Sequence, residues 1–125
     1  MGAITESEAE IMELLWENGE MTIMQMVQAL EEKKNWSKQS VISFLRRMET
    51  KGTVSYRVQG RARLYSAKVG KDQVLVSETK NFADRFFDGK LGLMASYFVH
   101  NPALTEEDIE ELWNELSKLK EKKNE

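Results

Sequence analysis

With 125 residues, 41% hydrophobic and 31% charged, the chain has an ordinary globular composition, with room for one core and a modest appendage. It contains no cysteine, which removes disulfides, thiolate metal sites and thiol nucleophiles together, and it has no run of about eighteen apolar residues able to span a bilayer. Its formal charge of −3 hides a partition: residues 1–32 hold eight acids and no Lys or Arg, residues 33–68 hold ten bases against Glu49 alone, and residues 69–125 hold eight bases and twelve acids.

Thr5-Glu6-Ser7-Glu8 fits a capping box, and Ala9, Met12, Leu15 and Trp16 then recur at helical steps up to Asn18-Gly19, predicting a first helix. Thr22 to Gln25 repeats the cap signal ahead of Met26, Val27 and Leu30, predicting a short second helix. After Asn35-Trp36, Ser37 caps a third helix that turns Val41, Phe44, Leu45 and Met48 inward and ends at Lys51-Gly52. From Thr53 the period changes to two: Val54, Tyr56 and Val58 alternate with polar residues, Gln59-Gly60-Arg61 turns, and Ala62 to Val69 runs back. Three helices followed by a hairpin are the element order of a winged helix-turn-helix, so the fold expected is mainly α, with a winged-helix domain over residues 1–70.

Residues 71–125 return to helical spacing in three stretches, up to Gly89, from Leu91 to Val99, and after a Thr105 cap, with Pro102 between the last two. Phe82, Phe86, Leu91, Met94, Phe98, Ile109, Leu112, Trp113 and Leu116 are more apolar surface than an open helical tail covers by itself. A two-fold homodimer is the simplest way to bury them, which makes 71–125 the expected dimerisation region.

The basic centre points to a polyanion, because each phosphate neutralised by Lys or Arg releases a counterion. With Val41 set to zero and about 100° per residue, Gln39, Ser43, Arg46 and Thr50 fall opposite the core side of the third helix, flanked by Ser40 and Arg47. This stripe holds donors and acceptors and no carboxylate, as suits a recognition helix in a major groove, with Ile42 placed to touch a thymine methyl. Lys38, Lys51, Arg57, Arg61 and Arg63 lie off that face or on the wing and are assigned to phosphates or a minor groove.

Ser7-Glu8-Ala9-Glu10-Ile11-Met12, Trp16, Trp36-Ser37, the helix through Arg47, Lys51-Gly52 and Ile109-Glu110-Glu111-Leu112 resemble the BlaI/MecI/CopY penicillinase-repressor family over nearly the whole chain. The resemblance implies a dimeric winged-helix repressor of a palindromic operator of TACA/TGTA type, and the lack of a membrane-spanning run and of secretory-signal regions at Met1-Gly2-Ala3-Ile4 makes a cytoplasmic location the expectation. It also implies Gln39, Ser40, Ser43 and Arg47 as contacts to bases or phosphates. The copper-responsive branch of the family uses four C-terminal cysteines, which this chain lacks. In the β-lactam branch a sensor-activated protease cuts an Asn-Phe bond, and the aligned bond here is Tyr97-Phe98, with Tyr in place of Asn. That change calls for a protease of altered preference or for another inducer.

No catalysis, cofactor or metal is expected: His100 is the only histidine, and the acids Glu106, Glu107, Asp108, Glu110 and Glu111 suit the dipole of a helix start. Two other readings use the same residues differently. In one the winged helix is an adaptor for an acidic protein. In the other a ligand sits among Phe82, Phe86, Tyr97 and Trp113 of the tail.

Overall fold

The computed structural model describes residues 2–124, and among these the chain forms six helices and one antiparallel hairpin. α1 (Glu6–Asn18) opens on a complete capping box, in which Thr5 accepts from Glu8 N and the Glu8 side chain accepts from Thr5 N. It stops at Gly19, whose φ of +75° ends the helical path and returns its N–H to Leu15 O. α2 (Ile23–Leu30) repeats the box with Thr22 and Gln25. α3 (Lys38–Lys51) starts where Ser37 Oγ accepts from Ser40 N at 3.1 Å and ends at Gly52, left-handed at φ +81°.

β1 (Val54–Gln59) and β2 (Ala62–Ala67) pair with Gln59 opposite Ala62, leaving the two-residue turn Gly60-Arg61. Gly60 has φ +63°, which a tight hairpin turn requires at its first position. Met21 bridges to Tyr65 through bonds of 2.8 and 2.9 Å, so the loop before α2 acts as a short third strand tying the hairpin to the helices.

One core joins these elements: Ile11, Met12, Leu15, Met21, Met26, Leu30, Val41, Leu45, Met48, Val54 and Tyr65. Three apolar sets named from the sequence do not enter the core in full. Ala9 is exposed, because the inner face of α1 is centred on Glu8, Ile11, Met12 and Leu15, and Ala9 and Trp16 lie on its flank. Phe44 is half-buried and meets Trp36 edge-on at 4.9 Å rather than entering the core. Of the alternating strand residues only Val54 is buried; Tyr56 and Val58 are exposed because the hairpin projects beyond the helices.

The first compact unit runs to Asn81, so it takes in the first half of α4 (Lys71–Phe87). Val74 is buried, Trp16 Nε1 donates to Val69 O at 2.9 Å, and Ile4 N donates to Glu78 at 2.9 Å. Lys71 pairs with Glu13 at 3.0 Å. The flank of α1 that carries Ala9 and Trp16 therefore has a partner in the chain itself.

The second unit, Phe82–Glu125, holds the end of α4, α5 (Leu91–Val99) and α6 (Glu106–Lys123). Asp88 and Gly89, at φ +50° and +78°, break the chain between α4 and α5, and Phe87 meets Tyr97 at 5.5 Å. Thr105 and Asp108 form the third capping box, so Asp108 of the acidic run is a helix cap. Among the described residues of this unit only Ala83 and Met94 are buried apolar side chains, and α6 buries none. Met94 thus departs from the other proposed dimer residues: it is buried in the single chain. Phe82, Phe86, Leu91, Phe98, Ile109, Leu112, Trp113 and Leu116 are all exposed. Among the described residues no helix is long and apolar enough to cross a membrane.

Candidate nucleic-acid interface

The outward face of α3 follows from what the core takes. Val41, Leu45 and Met48 are fully buried, which turns Gln39, Ser43, Arg46, Arg47 and Thr50 to solvent, with Ser40 and Ile42 partly covered. Two members of this stripe are engaged locally: Thr50 Oγ1 donates to Arg46 O at 3.1 Å, and Ser37 Oγ donates to Ser40 Oγ at 3.0 Å. The Arg47 guanidinium lies 5.2 Å from the Phe44 ring centroid, so half-buried Phe44 supports an arginine instead of filling the interior.

The ten bases of the central segment divide into two sets. Lys33 and Lys34 pair with Glu10, Lys51 with Glu8 and Arg57 with Glu20, all carboxylates of the acidic N-terminal segment. Among the described residues, Lys38, Arg46, Arg47, Arg61, Arg63 and Lys68 form no ion pair. Four of these six, Lys38, Arg46, Arg61 and Arg63, line one cleft of about 500 Å³ between α3 and the wing. Thr22, Ile23 and Met24 from the start of α2, Ile42 of α3, and Ala62 and Tyr65 of β2 complete its wall, and no carboxylate is among them. Four cations without an ion-pair partner around an apolar floor form a trough of positive potential suited to a phosphate-bearing chain.

Lys51 corrects an expectation. Its ammonium group lies 2.8 Å from both Glu8 carboxylate oxygens and 2.7 Å from Ala3 O. It faces inward because Glu8 is 1% exposed, and a carboxylate taken out of water needs a counter-charge. Arg57 too is engaged, giving Nε to Glu20 at 2.6 Å and Nη2 at 3.1 Å. The hydrogen bond from Arg57, ahead of its charge, holds the Glu20 carboxyl below the ordinary glutamate value, and the same bond raises Arg57. A depressed carboxylate contributes its pairing above its ordinary pKa and loses it as pH falls through the lowered one. A titration of Glu20 followed by NMR is expected to show a midpoint below the ordinary glutamate value and to return to that value in Arg57→Gln; an ordinary midpoint in the unsubstituted chain would remove the tether.

Of the other two wing arginines, Arg63 has aromatic support. The Arg63 guanidinium sits 4.4 Å from the centroid of Tyr56, which in turn contacts Tyr65 at 5.3 Å. Its pKa is raised, first by hydrogen bonding with the Tyr65 side chain and then by electrostatic interaction with the two tyrosines. Sequence reasoning missed Glu20, Met24 and Tyr56 at this face. Glu20 and Arg57 are 37 positions apart, so no spacing rule pairs them. Met24 reads as one more helical apolar residue, and Tyr56 as one more apolar member of an alternating strand.

A family model described as "Penicillinase repressor" matches residues 4–118. The penicillinase repressor of Bacillus licheniformis is 26% identical over 122 residues, covering 98% of this chain and 95% of that protein. The methicillin resistance regulatory protein MecI of Staphylococcus aureus (strain N315) is 24% identical over 115 residues, covering 92% and 94%. The solved monomeric form of Bacillus licheniformis BlaI, in complex with the blaP half-operator, shares the fold with a TM-score of 0.50 and 21% identity, over 57% of this chain and 87% of that one. Because the family match begins ahead of the α1 cap and runs through the recognition helix, the wing and most of α6, the chain belongs to the penicillinase repressor family.

Proposed function

We propose that this chain represses transcription in the cytoplasm by binding a palindromic operator as a homodimer, with residues 1–70 reading DNA and residues 71–125 pairing the two copies. The cleft between α3 and the wing carries this reading, since it gathers Lys38, Arg46, Arg61 and Arg63 without a carboxylate. Relatives named as repressors, and one solved with a half-operator, support it. In this reading Gln39, Ser40, Ser43, Arg46 and Arg47 face base edges and phosphates of a major groove, and Lys38, Arg61 and Arg63 hold the flanking backbone or minor groove. Arg57 joins them by exchanging Glu20 for a phosphate. Release by proteolysis at Tyr97-Phe98 would require α5 to open, because the bond lies in its last turn, although both side chains are more than half exposed.

The test is a titration of the full chain against a palindromic TACA/TGTA duplex and a scrambled one at several salt concentrations. Binding is expected to favour the palindrome and to fall with salt at a slope of about −0.9 per phosphate neutralised. Gln39→Ala and Arg47→Ala should each cost about 1–3 kcal/mol, roughly five- to 150-fold, mainly against the palindrome. Absent or sequence-indifferent binding by the unsubstituted chain would sink the reading and leave an adaptor for acidic proteins in its place.

A further inference from the structure

Resting on the DNA-binding reading, we infer that Tyr56 is a positioning residue: its ring holds the Arg63 guanidinium at the edge of the cleft, so that the wing presents a pre-oriented cation. An arginine at a hairpin edge ordinarily samples many rotamers and gives up that freedom when it contacts a phosphate. Here the guanidinium rests 4.4 Å from the Tyr56 centroid, within the range of a cation–π contact.

The ring is itself fixed from below. Tyr65 is 3% exposed and lies opposite Tyr56 in the hairpin register, and its backbone is tied to Met21 by two hydrogen bonds. A stack therefore runs from the core through Tyr65 and Tyr56 to Arg63, the last of which lines the cleft beside Arg61 and Arg46. Arg63 stands two positions along β2 from Tyr65, so both side chains leave the same face of the strand, the face Tyr56 occupies on β1. This also accounts for a large aromatic side chain left 42% exposed on a strand. Arg57, on the opposite face of β1, is held by a carboxylate, whereas Arg63 is held by a neutral ring that leaves its charge available.

The experiment is a thermodynamic cycle on the full chain, measuring palindrome affinity and its salt slope for Tyr56→Leu, Tyr56→Phe, Arg63→Ala and the double variant Tyr56→Leu with Arg63→Ala. Thermal unfolding of each variant establishes that it is folded at the assay temperature. Tyr56→Leu is expected to weaken binding about three- to tenfold, the range a cation–π contact supports. Tyr56→Phe, which keeps the ring face, should stay within about twofold of the parent, and Tyr56→Leu should have no further effect once Arg63 is Ala. Equal weakening by Tyr56→Phe and Tyr56→Leu would overturn the proposal in favour of a direct hydroxyl contact. So would an undiminished effect of Tyr56→Leu in the Arg63→Ala background, or unchanged affinity in Tyr56→Leu while Arg63→Ala is weakened. Absence of palindrome binding in the parent would instead remove the DNA-binding reading itself.

Discussion

A chain carrying Leu112→Glu and Leu116→Glu is expected to be monomeric and to bind a palindromic operator about a hundredfold or more weakly, while its affinity for a half-operator is unchanged. The helical tail is where the apolar surplus lies. Ile109, Leu112, Trp113, Leu116 and Leu119 of α6 are between 43% and 71% exposed, and α6 buries no residue in the single chain. Fully burying one such side chain is worth about 1.5–3 kcal/mol, so a self-complementary pairing of two copies through this face would be strongly stabilised. Two carboxylates in that surface would have to be desolvated to re-form it, at a cost the remaining apolar contacts do not offset. Operator affinity falls because the second half-site contact ceases to be intramolecular. Sedimentation over a range of concentrations, with parallel titrations of full and half-operators, separates the two effects. A double variant that stays dimeric would show that α6 is not the pairing surface.

Lys51→Ala is expected to destabilise the chain by about 2–4 kcal/mol, the loss typical of a buried carboxylate deprived of its partner, discounted because Lys51 keeps some contact with water. The ammonium group neutralises Glu8, satisfies both its oxygens and ties down Ala3. Without it Glu8 remains buried, with Thr5 N still donating to it but no counter-charge. The double variant Glu8→Gln with Lys51→Met should recover most of the loss, since it removes the uncompensated charge and keeps the Thr5 capping geometry. Urea unfolding with the slope held common to all variants measures this. Should Lys51→Ala leave stability unchanged but weaken operator binding, the residue would return to the phosphate-facing set.

The helices were legible because their signals are local. The boxes at Thr5 and Glu8 and at Thr22 and Gln25, the Ser37 cap and the Gly19 and Gly52 stops each lie within four residues of the helix end they set. The outward stripe of α3 was legible for a related reason: Val41, Leu45 and Met48 fix which way the helix faces, and a regular helix then fixes every other direction. The same periodicity placed Ala9 inside and overlooked Glu8, because spacing by itself does not reveal a lysine 43 positions away that lets a carboxylate turn inward. Alternation likewise grouped Val54, Tyr56 and Val58 without telling which of them reaches the core, because a period of two does not tell how far a hairpin extends past it.

By itself, then, the sequence determined the order of elements, their ends, the outward face of α3 and the segregation of charge, all of which depend on neighbours within a few turns or on composition. Only the tertiary structure decided which of the ten central bases are free. Folding sets the acidic first segment against Lys33, Lys34, Lys51 and Arg57, and it collects Lys38, Arg46, Arg61 and Arg63 around one cleft. Charge pairing is settled by distance in space, at separations of a few ångströms, between residues that the chain keeps tens of positions apart.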